Sequence, residues 1–118
     1  MSYIKILSIR ITDEKVFWHA YESSDLPPFF MQGELPGMSR LLVEKGREEV
    51  EKHLLFIYFE GVFHGNDKYQ SAADKIRKKL KCDESNEVWS RCNRDENYRQ
   101  KIMQMLHDEF VAQSRITN

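Results

Sequence analysis

The sequence has few cysteines and glycines, the residues on which disulfide-bonded and phosphate-binding proteins depend. Only two cysteines, Cys82 and Cys92, occur among 118 residues, so a secreted disulfide framework is not expected. The five glycines form neither GxGxxG nor GxxxxGK, which excludes the two common phosphate-binding loops. HExxH, CxxC and GxSxG are also missing. We therefore predict no metal ion, no cofactor and no catalytic residue from motifs.

The chain also has almost no net charge and no long apolar run. The 18 basic and 19 acidic residues leave a formal net charge of -1, so no global field draws the chain to nucleic acid or membrane. The longest apolar run, residues 54–63, is too short for a bilayer, which needs roughly 20 residues. The start, MSYIKILSIRI, lacks the apolar segment of a signal peptide. We expect a cytoplasmic protein that contacts no membrane.

The composition is that of a folded domain. Hydrophobic residues make up 41% of the chain and charged residues 31%, which separates it from disordered sequences. A chain of this length normally forms one domain with its own core. We predict a single compact α+β domain over residues 1–118.

Alternation near the N-terminus predicts a β-hairpin. Apolar residues recur along 3–11, and the aromatic and β-branched segment 16–21 follows a tight connection at 13–15. This pattern is typical of two antiparallel strands, so we predict a hairpin over residues 3–22. Because apolar residues fall on both faces of the first strand, we expect its centre to be buried.

The run of large apolar residues at 54–63 allows two interpretations. A short apolar run before a turn signal is typical of a buried strand, and we predict a central strand here after a helix over about 40–52, with Ser39 as its N-cap. In that case Glu60 could pair with Arg10 or Lys5. In the alternative, one long helix continues to residue 60 because Val43, Val50, Leu54 and Ile57 share a helical stripe.

Helical periodicity dominates the remaining chain. It predicts helices over 69–81 and 97–113, with a shorter helical region from Glu87. Prolines and glycines predict loops over 23–28 and 33–37, with a short extended piece between them, and residues 113–118 are expected to fray. The resulting fold class is α+β: an N-terminal antiparallel β-hairpin plus a central buried strand, packed against about three helices, with a helical C-terminal half.

An aromatic cluster flanks the Pro-Pro loop. Aromatic residues and methionine are enriched where proteins contact one another. We therefore predict a partner-binding set beside this loop, against the competing interpretation that the same side chains cap the core. Its members are Trp18, Tyr21, Phe29, Phe30 and Met31.

A basic segment offers a second function. Residues 68–81 contain six basic residues and one acidic residue, and on a helix four lysines would share a solvent-exposed side that could meet phosphates. They are Lys68, Lys75, Lys78 and Lys79. The competing interpretation is a solvated face whose lysines complement the dipole at the helix C-terminus.

The four histidines do not converge with cysteines or carboxylates at metal-ligand spacings. We expect His64 to be a turn residue with a local hydrogen bond. A small metal-dependent hydrolase that uses scattered acidic and basic groups is the least favoured function.

The leading hypothesis is a small non-enzymatic cytoplasmic protein-binding domain. It would act by steric contact with another protein, such as a toxin or an enzyme, as an inhibitor, an immunity or antitoxin-like protein, or a phage-type antagonist. Nucleic-acid binding through the basic helix is the alternative. A hairpin edge with aromatics also allows a homodimer.

Overall fold

A computed structural model describes residues 4–22, 29–81 and 87–116. Within these ranges the chain is α+β with a helical C-terminal half, which confirms the predicted fold class. The elements are β1 (Ile4–Ile11), β2 (Val16–Glu22), β3 (Phe29–Glu34), α1 (Pro36–Lys45), α2 (Arg47–Glu60), β4 (Phe63–His64), α3 (Asp67–Leu80), α4 (Val88–Arg94) and α5 (Glu96–Ile116).

The four strands form one mixed sheet in the order β3-β2-β1-β4. β2 is antiparallel to both β1 and β3, whereas β4 adds two residues parallel to β1. The predicted hairpin is therefore confirmed over its described residues. The predicted loop at 33–37 is wrong, because β3 continues to Glu34 and α1 begins at Pro36. Proline suits the first helical position because its missing N–H needs no partner there. The predicted loop at 23–28 lies outside the described residues.

A β-bulge interrupts β1. Ile6 lies opposite Ala20, but the next pair is Ser8 opposite His19, so Leu7 is an extra residue in the ladder. Ile6 is buried, whereas Leu7 is 38% exposed. The expectation of a first strand buried at its centre is wrong, because helices cover only one face of it.

The bulge sorts the residues of β1 onto two faces. Ile6 before the bulge and Ile9 and Ile11 after it pack against the same core. Ser8 and Arg10 are exposed on the other side. One face of the strand is therefore apolar and the other is polar, as in sheets that bury a single face.

The apolar run at 54–60 is helical, so the predicted central strand is wrong. α2 ends where Gly61 adopts the left-handed conformation (φ 88°) and its N–H donates to the carbonyls of Ile57 and Tyr58. The run shows no clear period because α2 is buried on most sides; its buried residues are Val50, Leu54, Leu55, Phe56, Tyr58 and Phe59. Glu60 ends this helix, so the suggested strand-to-strand pairing with Arg10 or Lys5 is not available to it.

Gly46 separates two helices where the sequence predicts one. Its backbone (φ 96°, ψ 174°) is strained for other residues, so the alternative of a single helix up to residue 60 is also incorrect. Ser39 is not an N-cap but lies buried within α1. Its Oγ accepts a hydrogen bond of 2.9 Å from the backbone N–H of Val16. This bond ties α1 to β2.

The C-terminal helices agree with their predicted positions, although α5 extends to Ile116 and residues 117–118 lie outside the described chain. One hydrophobic cluster joins the sheet to the helices. It includes Ile6, Val16, Leu54, Phe59, Ile76, Ile102 and Leu106. None of the described helices is both long enough and apolar enough to cross a membrane.

Candidate functional site

One face of the sheet has no covering element in the described part of the chain. The face toward the helices carries buried Val16 and Ala20, and the opposite face holds a groove of about 450 Å³ lined by strand residues alone. We call this surface the open face. Trp18 and Gly33 also line the groove, but they alternate with the residues of the open face, which are Ser8, Arg10, Phe17, His19, Gln32 and Glu34.

Phe17 is the aromatic centre of the open face. It is half-buried, and the guanidinium carbon of Arg10, its partner across the ladder, lies 5.0 Å from the ring centroid. Such a contact contributes about 0.5–1 kcal/mol at an exposed site. On the other side Phe17 lies opposite Glu34, whose Oε1 is 3.8 Å from Nζ of Lys15. The face therefore combines an apolar ring with a planar cation and a carboxylate.

His19 and Gln32 form the next cross-strand pair whose side chains lie on the open face. The imidazole and the amide add hydrogen-bond donors and acceptors beside the ring of Phe17. The face can supply apolar contact and directional hydrogen bonds to a ligand surface.

Two of the predicted partner-binding residues lie on the helix-facing side instead. Trp18 is partly buried against the core, next to Gly33, where an added Cβ would lie 3.1 Å from the indole. Met31 is half-buried opposite Ala20. Trp18 packs against the core, as the competing interpretation expects. A role in partner binding stays a prediction for both residues.

The other three predicted residues are described by their backbones alone. Tyr21 lies opposite Phe30, and Glu22 lies opposite Phe29, at the ends of β2 and β3. The side chains of these residues lie outside the described part of the structure. Their role in binding stays a prediction.

The central residues of the open face were missed by the sequence analysis. The signal was available in β2, because alternation puts Phe17 and His19 opposite the side that carries Val16, Trp18 and Ala20. Gln32 and Glu34 gave no such signal, since the strand that carries them was predicted to be partly loop.

The four predicted lysines of α3 are exposed: Lys68, Lys75, Lys78 and Lys79. Nζ of Lys75 lies 3.4 Å from Oε2 of Glu109, and Asp67 and Asp74 line the same shallow depression as Lys75 and Lys78. Nearby carboxylates therefore reduce the positive potential that the sequence segment indicates.

Arg77, the arginine of the basic segment, turns toward the protein. Its Nη2 donates hydrogen bonds of 2.7 Å to the carbonyl of Tyr58 and 2.6 Å to that of Phe59, and its Nε donates one of 2.9 Å to Phe59. These carbonyls belong to the last turn of α2, where no following helical turn supplies N–H donors. The carbonyl of Tyr58 also accepts from the N–H of Gly61. Arg77 is thus engaged in capping a helix rather than facing a phosphate.

A polar cluster around the buried imidazole of His107 joins α2 to α5. Nε2 of His107 lies 3.2 Å from Oε1 of Glu51, and Nδ1 lies 3.8 Å from Oε1 of Glu48. The second carboxylate oxygen of Glu51 is 3.4 Å from Nε of Arg47. Buried ionisable groups require such partners, so this cluster has a sufficient structural explanation.

Tyr69 lies beside this cluster. It stacks between Tyr58 and Phe110, with ring centroids 5.6 Å and 4.9 Å away. Burial, and then the carboxylate of Glu51, raise the pKa of Tyr69 to about 12, while Arg47 acts in the opposite direction. Its phenol stays protonated at neutral pH and cannot serve there as a general base.

The remaining histidines make local contacts. His53 donates from Nδ1 to the carbonyl of Glu49 at 2.9 Å, and His64 donates from Nε2 to the carbonyl of Gly61 at 3.0 Å. The local hydrogen bond predicted for His64 is confirmed, but the residue belongs to β4 rather than to a turn. Across residues 4–22, 29–81 and 87–116, no group of three or more His, Cys, Asp or Glu residues is arranged to hold a metal ion.

The chain matches no protein-family model, and comparisons with curated proteins and with solved structures found no similar one.

Proposed function

We propose that this protein is a small protein-binding domain that acts by steric contact, and that the open face is its contact surface. The observation that carries the proposal is half-buried Phe17, held under Arg10 at the centre of an uncovered sheet face. Phenylalanine and arginine are both enriched in protein–protein interfaces relative to other surfaces. A central aromatic anchor with a polar rim is the usual arrangement of an interface hot spot.

The backbone beneath the open face is already ordered by the sheet. Arg10, Phe17 and Glu34 belong to three neighbouring strands that are paired by ladder hydrogen bonds. Association is costly when side chains and loops must be ordered at the same time. A face on paired strands avoids much of this cost, which favours a rigid surface for another folded protein.

The proposed partner is a cytoplasmic toxin or enzyme. The domain would cover the partner's working surface, as an inhibitor, an immunity or antitoxin-like protein, or a phage-type antagonist does. Localisation in the cytoplasm and the absence of a membrane role are parts of the same proposal.

Affinity purification with matched variants tests the proposal. Phe17→Ser removes the anchor, and Val43→Ser is the control because Val43 is 69% exposed on α1, outside the open face. At physiological salt we expect wild type and Val43→Ser to enrich the same protein and Phe17→Ser to lose it. Titration of that purified protein should then give an affinity at least about tenfold weaker for Phe17→Ser, roughly 1.4 kcal/mol. Equal enrichment by Phe17→Ser, or no specific protein with wild type, would contradict the proposal.

Nucleic-acid binding is the second candidate, favoured by the lysine stripe of α3. The test is the double variant Lys78→Glu/Lys79→Glu, with Lys101→Glu on α5 as control, in fluorescence anisotropy with labelled single- and double-stranded DNA and RNA. Binding that falls steeply with salt and is lost in the α3 variant alone would support it. Absence of binding at low salt would remove it.

A further inference from the structure

The hydrogen-bond pattern of β3 defines a free edge. The N–H of Leu35 donates to the carbonyl of Val16 at 2.9 Å, so this is a hydrogen-bonded pair of the β2–β3 ladder. In antiparallel strands such pairs alternate with pairs whose backbone groups point away from each other. Gly33 and Met31 therefore bond toward β2. The N–H and carbonyl groups of Phe30, Gln32 and Glu34 therefore point in the plane of the sheet, away from β2.

This edge lacks the usual protection. Natural edge strands are blunted by lysine, proline, bulges or short length, but β3 (FFMQGE) contains neither lysine nor proline and pairs with β2 without a register shift. The opposite edge of the sheet, β4, has just two residues. No described element lies beyond β3 in the sheet order. A six-residue template for strand addition is therefore left open.

We propose that two copies of this chain pair through β3, antiparallel, about a two-fold axis at Gln32. Gln32 then lies opposite Gln32 of the second copy, and Phe30 lies opposite Glu34. Every outward backbone donor and acceptor of the strand gains a ladder hydrogen bond in this register. The two four-stranded sheets join into one continuous sheet of eight strands.

The side chains make the second copy a suitable occupant. An amide carries both donors and acceptors, so two glutamines at the axis can bond to each other. Glu34 is the single charge of the strand, and this register separates the two copies of it by four positions, roughly 13 Å at 3.3 Å per residue. That distance exceeds the screening length of about 8 Å at physiological salt, so the repulsion is small.

The dimer has a geometric consequence for the open face. The two-fold axis of an antiparallel ladder runs perpendicular to the sheet, so the same side of the sheet remains outward in both copies. The two open faces become one surface of doubled width, with Phe17 repeated on each half. This inference concerns self-association and does not depend on the proposed partner.

Residue-resolved hydrogen exchange tests the register directly. The amides of Gln32 and Glu34 point outward, whereas that of Gly33, between them, bonds to β2. At high protein concentration we expect slow exchange at all three. On dilution, exchange at Gln32 and Glu34 should accelerate at least about tenfold while Gly33 stays slow. Fast exchange at Gln32 and Glu34 at every concentration would overturn the proposal.

Gln32→Pro provides the matching variant. It removes the outward N–H while the bonds of Met31 and Gly33 to β2 remain, and proline is tolerated on an edge strand when its missing N–H faces solvent. Gln32→Thr is the control because it keeps the backbone donor. Sedimentation equilibrium should show dimers for wild type and Gln32→Thr and monomers for Gln32→Pro. Monomeric wild type, or an unchanged dimer in a folded Gln32→Pro, would refute the proposed dimer. If Gln32→Pro fails to fold, the exchange measurement decides.

Discussion

The guanidinium of Arg77 donates to the carbonyl of Phe59 from two nitrogens, Nε at 2.9 Å and Nη2 at 2.6 Å. Eighteen positions separate the two residues. The contact gives α2 a C-terminal cap from another helix, and the cation also lies where the negative end of the helix dipole favours it.

Loss of this cap should destabilise the fold. Arg77→Met keeps part of the aliphatic stem but removes the donors to Tyr58 and Phe59, and hydrogen bonds from charged groups contribute about 1.5–3 kcal/mol. We expect the free energy of unfolding to fall by about 2 kcal/mol in urea denaturation. Lys78→Met, an exposed neighbour, is the control and should change it by less than about 0.5 kcal/mol. Equal effects of the two variants would contradict the capping role.

Gly61 and Gly37 should respond in opposite directions to alanine. Gly61 has φ 88°, and an added Cβ would lie 3.3 Å from Nη2 of Arg77. Gly61→Ala should therefore cost about 1–2 kcal/mol. Gly37 lies in the first turn of α1 with no atom within 4 Å of an added Cβ, so Gly37→Ala should stabilise by up to about 1 kcal/mol. Thermal unfolding of both variants checks the pair, and destabilisation by Gly37→Ala would be the contrary result.

Ser39→Ala should destabilise the fold, because it removes the hydrogen bond between α1 and β2. The variant leaves the backbone N–H of Val16 buried without its 2.9 Å acceptor, which costs about 1–3 kcal/mol. Ser71→Ala, at an exposed position of α3, is the control. Chemical denaturation should show a lower midpoint with an unchanged slope for Ser39→Ala. A midpoint equal to that of Ser71→Ala would show that Val16 finds another partner.

Glu60 makes the stability depend on pH. Partial burial raises the pKa of its carboxyl above the ordinary value of 4.5, and the charge of Arg99 acts in the opposite direction. A raised pKa in the folded state means that the fold disfavours the ionised form. The stability that the neutral carboxyl of Glu60 contributes is fully present below pH 4.5. It is lost as the pH rises through the folded-state pKa.

Glu60→Gln should therefore flatten this part of the pH profile. Relative to wild type, the variant should gain stability as the pH rises from 4.5 through the raised folded-state pKa of Glu60, measured as the urea midpoint at each pH. Glu44→Gln, exposed on α1, is the control and should run parallel to wild type. A Glu60→Gln profile parallel to wild type would show that the carboxyl is not coupled to folding.

The sequence predicts elements well where one face alone is buried. Period-two alternation identified β1 and β2, and helical periodicity identified α3 and α5, because each has a polar side that contrasts with its buried side. α2 has little such contrast, since residues 54–56 are all buried. A strand and a helix then leave the same apolar run in the sequence.

Long-range partners account for what the sequence could not provide. Proline and glycine at 33–37 mark a loop in many chains. Here β3 pairs with β2 as far as Glu34, and α1 begins at Pro36. In the sequence Arg77 is indistinguishable from the other cations of the basic segment, because its partners, the carbonyls at the end of α2, are distant in the chain. The open face could be predicted in part from alternation in β2, but its Gln32 and Glu34 depend on a pairing that no local pattern indicates.

The bulge at Leu7 gives the N-terminal strand a site where its length can change. Without Leu7, the strand would read IKISIRI, with an isoleucine at every second position. Ile6 would remain opposite Ala20 and Ser8 opposite His19, because these pairs already exist on either side of the extra residue. A one-residue deletion, which normally turns a strand inside out, would here leave the same side chains facing the core.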